Sequence, residues 1–254
     1  MAGRGVIGLL HPGEMGSAVG AVLRGRGHDV AWASESRSRE TAHRAAEAGL
    51  VDVGTVDALA ERCEILLSIC PPHAALEVAR SLAGYGGIYV DANAVSPATS
   101  TEVGALFERY ADAGIVGGPP RQRGDTRLYL AGAEAETVAS LFRGSALEPV
   151  VLRAPVGSAS ALKMAYAAWT KGSSALLLAV RATARSTGVE DALLEEWRTS
   201  IPGIEDRAAR AERSAAAKGW RWVGEMEEIA ATFAAAGEPD GFHQAAAEVF
   251  RRYA

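Results

Sequence analysis

The sequence predicts an α/β domain with a mostly parallel sheet over residues 1–155, followed by an all-helical domain over residues 156–254. Three observations carry that expectation. Short apolar runs of strand character alternate with helical patterns from residue 4 to Pro155, the rhythm of a sheet covered by helices. The runs Ile65–Cys70 and Gly87–Val90 are apolar on both faces, as strands between two helix layers must be. After Pro155 no strand pattern follows, and Ala-rich helical periodicity continues to the C-terminus.

Composition narrows the possible functions. The formal net charge is −5 over 254 residues, neither half forms a charged arm, and no basic tract tracks a phosphate backbone. Nucleic-acid binding is therefore not expected. No apolar run is long enough to span a bilayer, and no leader is expected before the first strand. The two cysteines, Cys63 and Cys70, do not form a C-x-x-C pair and suit a reducing compartment. The expectation is a cytoplasmic protein without a metal site, because no His/Asp/Glu cluster has ligand spacing.

The first element is Val6–Leu10, an apolar strand entering the turn His11-Pro12-Gly13-Glu14-Met15-Gly16. A helix follows at once, through Ser17–Leu23. Strand, glycine turn and helix in that order open a Rossmann-type dinucleotide-binding domain. The helix start offers unpaired N–H groups, and glycine lets a pyrophosphate approach the backbone. Leu10, His11, Pro12, Gly13, Glu14 and Met15 are thus candidate cofactor contacts, with Gly16 allowing close helix–strand packing. His11 stands where G-x-G-x-x-G has its first glycine, so an ordinary βα turn is the competing reading.

Val30–Ala33 is the second strand, and Ser34-Glu35-Ser36-Arg37-Ser38 follows it where this fold meets the adenosine ribose. Glu35 would favour the ribose hydroxyls of NAD. Arg37 with Ser34 and Ser38 suits the 2′-phosphate of NADP better, and NADP is the expected cofactor with NAD as the alternative. Helical patterns at Glu40–Ala48 and Val56–Arg62 flank a short strand at Val51–Val53. The strand Ile65–Cys70 ends in Pro71-Pro72, making Cys70 and Pro71 further cofactor contacts; His73 is assigned no role. After Gly87–Val90 comes Asp91–Pro97, a loop at a strand C-terminal end where such sheets bind ligands. Asn93 can both donate and accept there, either to substrate and cofactor or within an Asx turn before the helix near Ser96-Pro97. Strand-plus-turn Ile115–Pro120, then Leu128–Ala131 and Val150–Leu152, complete the sheet.

In the helical domain, Gly157–Thr187 reads as one long helix ended by Gly188, apolar nearly all round and so expected to be buried on most sides. Lys163, Tyr166, Thr170 and Ser174 form one polar stripe on it. A partly desolvated lysine suits proton transfer; snorkelling to the surface is the competing reading. Further helices are expected over Glu190–Ser200, Pro202–Ala217, Trp222–Ala236 and Asp240–Tyr253, with Gly219 and Gly237 as stops. Arg207, Trp220, Arg221, Trp222, Glu225 and His243 form a basic, aromatic-rich group, with Arg221 a candidate for a substrate carboxylate; helix-surface charge and core tryptophan is the competing reading, favoured for any single one of them.

Together these landmarks resemble the β-hydroxyacid dehydrogenase superfamily, related to 6-phosphogluconate dehydrogenase and imine reductases, over essentially the whole chain. Gly8–Gly16 is similar to its dinucleotide fingerprint, Asp91–Pro97 to its D-x-S-T-x-x-P substrate loop, Ile115–Pro120 to its glycine-bearing loop, and Gly157–Lys163 to its G-x-x-x-x-x-K helix start. The resemblance implies hydride transfer between a nicotinamide and a small, anionic hydroxy or oxo substrate in the interdomain cleft. Lys163 would be the catalytic acid/base, Asn93 would orient the substrate and Tyr166 would be a second donor. A homodimer is expected as well. The sequence departs at His11, at Asn93 in place of serine, and at Ala167 in place of the asparagine four residues after the lysine. Two alternatives stay open: an imine reductase, and a nucleotide-binding protein without turnover.

Overall fold

The computed structural model describes residues 6–253. The expected first residues of the leading domain, the stretch read for a leader and the final residue lie outside the described residues. The chain divides into two units, Met1–Lys163 and Met164–Ala254. The change of character at Pro155 therefore precedes the division, which falls inside a helix.

The first unit begins with β1 (Ile7–Leu9), α1 (Glu14–Gly25), β2 (Val30–Trp32), α2 (Arg39–Glu47), β3 (Val51–Asp52) and α3 (Val56–Arg62). It continues through β4 (Ile65–Ser68), α4 (Ala75–Arg80), β5 (Ile88–Asp91), α5 (Pro97–Gly104) and β6 (Tyr110–Val116). It closes with β7 (Thr126–Ala131), α6 (Ala135–Phe142) and β8 (Leu147–Val151). The strands form one sheet in the order β3-β2-β1-β4-β5-β6-β7-β8. Every pairing is parallel except β6 with β7, which run antiparallel from Asp112↔Ala131 to Val116↔Arg127. The α/β expectation holds, and the one reversed pairing is an addition to it.

Burial explains why these runs are strands. Ile7, Leu9, Leu67, Val90 and Leu130 are almost wholly inaccessible and share one core. Leu10, Leu66, Tyr89 and Tyr110 pack in a second. Each fully buried aliphatic side chain contributes about 1.5–3 kcal/mol. Helix starts are sequence-encoded too: Ser38, Thr55 and Ser96 cap α2, α3 and α5 by accepting from Thr41, Ala58 and Thr99 N–H groups. The helix α1 starts at Glu14, three residues ahead of the expected Ser17, because Gly13 itself takes the N-cap position.

A long helix, α7 (Ser158–Ser186), carries the chain out of the first unit. The second unit adds α8 (Glu190–Ser200), α9 (Ile204–Ala235) and α10 (Gly241–Arg251). Gly188 and Gly237, at φ of 73° and 78°, end α7 and follow α9 as anticipated. Gly219 does not stop a helix: the two helices expected on either side of it are the single α9. A Cβ there would lie 3.0 Å from that of Tyr253 and 3.3 Å from the Phe250 carbonyl. The glycine is used for close contact with the end of α10, which offsets its weak helix propensity. The other correction concerns α7, where Tyr166, Trp169 (71 %) and Leu176 (65 %) are exposed rather than buried. An all-round apolar helix needs cover on every side, and the chain alone leaves this face open.

Candidate functional site

The C-terminal ends of β1, β2, β4 and β5 lie along one edge of the first unit's sheet, and the candidate cofactor residues follow them. After β1, the Leu10 N–H donates to the Leu67 carbonyl at 3.0 Å, keeping the chain in line with β4 before the turn. The Gly13 N–H then donates to His11 O at 2.9 Å, and Ser17 N–H donates to Gly13 O, closing the first turn of α1. Pro12, with no N–H of its own, sits between them. The two glycines of this turn differ in their surroundings. A Cβ on Gly16 would come within 2.1 Å of the His11 carbonyl oxygen, so the helix can approach the strand only there. A Cβ on Gly13 would meet nothing within 4 Å and would protrude into the space in front of the helix start. Glu14 and Met15 are the first residues of α1 behind it.

His11 turns inward. Burial, reinforced by the Arg37 guanidinium, lowers its pKa to about 4, so the imidazole is neutral at pH 7. Its Nδ1 is buried without a hydrogen-bond partner among the described residues, and so is Arg37 Nε. Arg37 also acts electrostatically on Cys70, so its guanidinium lies near the ends of both β1 and β4. The loop that carries it is tightly bonded. Ser34 N–H and Gly54 N–H donate to the Asp52 carboxylate at 3.2 and 2.9 Å, and Arg37 N–H donates to Ser34 O. Ser36 adopts φ of 58° to make the turn. Ser38 is occupied as the cap of α2, its hydroxyl also 3.1 Å from that of Thr41. Glu35 is exposed.

At the end of β4, burial pushes the Cys70 thiol up to about 12, so this cysteine is no nucleophile. Asn93 accepts the Cys70 N–H at 2.6 Å and donates to Ser68 Oγ at 3.0 Å, while its own N–H donates to Asp91 at 3.0 Å. The Asx-type bond of this loop is therefore made by the Asp91 carboxylate, while the Asn93 side chain bonds across to the end of β4. The buried amide ties β4 to β5 and retains one N–H and one lone pair. Pro71 follows Cys70 in extended conformation and leads into the next turn.

Asp112 is the residue that sequence reading missed. It is wholly buried in β6 and accepts Ala159 N–H (2.8 Å), Ser160 N–H (3.2 Å) and Ser160 Oγ (2.6 Å), capping the start of α7. Ser100 also donates to it, and the Tyr110 hydroxyl stands 2.9 Å from Ser100. A carboxylate at a helix N-terminus is favourable for the macrodipole as well as the orphan N–H groups. The signal was a lone charge in the otherwise uncharged run Tyr110–Val116. Two glycines complete the seat. Gly157, at φ of 92°, packs against Pro97, and a Cβ on Gly114 would sit 2.8 Å from Ala159 O and 3.0 Å from the Lys163 Cβ. Lys163 is therefore held with its Cβ directly over Gly114 of β6. Tyr166 follows one helical turn later, half exposed. Thr170 and Ser174 bond back to carbonyls of α7 and are less available than the stripe suggested.

The geometry fits a nicotinamide dinucleotide. A glycine opens the helix start to a phosphate, two buried nitrogen atoms beside it lack partners, and an arginine stands after β2. Comparison with known proteins agrees. The family model described as the NAD binding domain of 6-phosphogluconate dehydrogenase matches residues 4–143, and a domain of unknown function matches residues 184–253. An uncharacterised 28.5 kDa protein from Methanothermus fervidus, encoded in the 7S RNA 5′ region, is 31% identical over 193 residues, 74% of each chain. A conserved protein of unknown function, whose structure is described as similar to 3-hydroxyacid dehydrogenases, is 30% identical, with 98% of this chain and 96% of that one covered and a TM-score of 0.71. The 3-hydroxyisobutyrate dehydrogenase of Mycobacterium tuberculosis, solved with L-serine, is 17% identical with a TM-score of 0.71, over 99% and 94% of the chains, a likeness of fold.

Proposed function

The chain belongs to the family defined by the NAD-binding domain of 6-phosphogluconate dehydrogenase, and from that premise we propose that it is an NADP-dependent oxidoreductase of the β-hydroxyacid dehydrogenase type. Its substrate would be a small, anionic hydroxy or oxo metabolite. The observation that carries the reading is the open helix start at Gly13 with the unpartnered His11 Nδ1 and Arg37 Nε beside it. Gly13 and the first N–H groups of α1 hold the pyrophosphate. Arg37 takes the 2′-phosphate, a charge-assisted contact that NADH cannot supply. Leu10, Pro12, Glu14 and Met15 shape the turn, Ser34 and Ser38 flank Arg37, and Cys70, Pro71 and Asn93 border the nicotinamide end.

The bound nicotinamide supplies or takes the hydride. Lys163 handles the proton: as a free amine it accepts the hydroxyl proton in oxidation, and as an ammonium it returns one to the carbonyl oxygen in reduction. Its support is the anchoring of its Cβ over Gly114, behind the Asp112 cap. Asn93 orients the substrate with its remaining amide hydrogen, and Tyr166 is a second donor. The protein acts as a homodimer, a reading supported by Leu176, Trp220 and Phe242, which the single chain leaves exposed. A monomer in light scattering at micromolar concentration would refute the dimer.

The test is a paired titration with NADPH and NADH, followed by nicotinamide fluorescence. NADPH should bind more tightly, and Arg37→Ala should remove that preference, roughly a 10–100-fold loss. The reverse preference would hand the ribose to Glu35 and overturn the NADP assignment; binding of neither would overturn the oxidoreductase reading. With cofactor binding established, Lys163→Ala should abolish turnover and leave that binding intact. Unchanged turnover would remove Lys163 from the chemistry.

A further inference from the structure

The helical unit holds a cavity of about 260 Å³ between α7 and α9, formed by residues of that unit alone. Arg207, Arg210, Ser214 and Trp222 line it from α9, and Trp169 and Ser173 from α7. At 100° per residue the four α9 residues fall within roughly a 120° arc, so one helix face presents both guanidinium groups to the same space.

The charge arrangement around this cavity favours an anion. Four arginines of the unit are paired with carboxylates: Arg181 with Glu190 and Glu212, Arg185 with Glu190, Arg198 with Glu195 and Glu205, and Arg251 with Glu227 and Glu248. Arg213, Arg221 and Arg252, which do not line the cavity, have no such pair among the described residues. Arg207 and Arg210 have no carboxylate partner among the described residues, although acids are within easy reach in sequence. Asp206 precedes Arg210 by four residues, the spacing at which helix ion pairs form, yet no bridge is made. Glu212 turns instead to Arg181 at 3.4 Å. No carboxylate lines the cavity; Ser214 offers a hydroxyl from α9, while Thr170, Ser173 and Ser174 donate to carbonyls of α7. The Trp222 wall is fixed from behind, because Lys171 lies 5.8 Å from its ring centroid and is itself paired with Glu225 at 2.7 Å.

We propose that this cavity is a binding site for a small organic monocarboxylate, its carboxylate gripped by Arg207 and Arg210 and its apolar body held between the indoles of Trp169 and Trp222. Planar guanidinium forks pair with a carboxylate bidentately. Phosphate groups are commonly cradled by the backbone N–H groups of a helix start, and both arginines lie inside α9, past its first turn. The volume is below the ~300–1,000 Å³ of sites for drug-sized ligands, so the ligand is metabolite-sized. The site is independent of the cofactor reading, since every lining residue lies beyond Lys163.

The test uses the intact protein and follows tryptophan fluorescence during titration with a series of monocarboxylates from butanoate to benzoate. Each is set beside its neutral alcohol, and inorganic phosphate at matched ionic strength is a further arm. At least one carboxylate should bind saturably, its alcohol should bind roughly tenfold more weakly or not at all, and Arg207→Ala and Arg210→Ala should each weaken the acid by roughly tenfold or more. Trp222→Phe should diminish the signal. Both arginines are exposed, so thermal unfolding and the NADPH titration should be unchanged in these variants, separating a failure here from a failure of the cofactor site. No saturable carboxylate binding, equal binding of the alcohols, tighter binding of phosphate, or insensitivity to both arginine variants would each overturn the proposal. So would arginine variants that change only the sedimentation of the protein, which would make the cavity a contact face between copies.

Discussion

The two units handle polar groups in opposite ways. In the first, charged and amide side chains at the sheet edge are buried and spent on the backbone: Asn93 joins β4 to β5, and Asp112 seats α7. In the second, charge sits mostly on helix surfaces, where several arginines pair with carboxylates; Lys171 with Glu225 is well buried, and Arg181 with Glu190 nearly as sheltered. The first unit therefore positions a ligand through fixed backbone groups, while the second presents side chains. The contrast also separates two meanings of an unpartnered nitrogen. Beside α1 it lies at the turn where we propose a phosphate binds; between α7 and α9 it belongs to two guanidinium groups with no carboxylate partner among the described residues.

The sharpest way to break this contrast is at Lys171. Its pair with Glu225 is largely buried, at 16% and 10% side-chain exposure. Lys171→Met removes the ammonium bonded to a buried carboxylate and should cost about 3–5 kcal/mol in urea unfolding, whereas a double variant that also replaces Glu225 by Leu should recover most of it. A single variant within about 1 kcal/mol of wild type would show that the pair behaves like its exposed neighbours. Next comes the phosphate turn. Gly16→Ala drives a methyl into the His11 carbonyl and should cost about 3 kcal/mol. Gly13→Ala meets no atom, so its stability loss should stay below about 1 kcal/mol while NADPH affinity falls. Equal destabilisation by both would erase the distinction between a packing glycine and a binding one.

The smallest expected effect is in pH dependence. His11 titrates near 4 in the folded chain against 6.5 when unperturbed, through burial first and Arg37 second. Between those values the unfolded chain binds more protons, so stability rises with pH. The contribution is complete above about pH 6.5 and is lost as pH falls toward 4, about 3 kcal/mol in all. His11→Gln should flatten that part of the profile in denaturant unfolding measured across the window; an unchanged slope would show His11 to be solvated.

Much of this molecule was legible in its sequence, for physical reasons that also explain the rest. Both-face apolar runs such as Ile65–Cys70 and Gly87–Val90 announce buried parallel strands. The reversed pairing of β6 with β7 was hidden because apolar residues report which faces are covered and not the direction in which a strand runs. Gly219 misled because a glycine that stops a helix and one that lets another helix approach look identical until the neighbour is known. The placement of Asn93 and Arg37 after strands, and of Lys163 near the start of α7, was legible in the sequence, but not what each bonds or packs against. Asp112 was passed over because it contacts no exposed surface and acts through another element. The cavity of the helical unit was half visible. Arg207 and Trp222 stood out as basic and aromatic, while Arg221, named as a candidate for a carboxylate on its chemistry alone, does not line it.

The one reversed strand pairing has a consequence for how this architecture varies. Because β7 runs against β6, the connection through residues 117–125 returns at the same sheet edge as the turns after β1, β4 and β5. Pro119 and Arg121 of that connection line a cavity of the first unit with Glu14 and Ser17 of α1. Insertions or deletions there would leave the registers of β6 and β7 and the whole parallel half of the sheet untouched. Such a loop can be exchanged like a removable faceplate, altering what the edge admits while the nucleotide end keeps its shape.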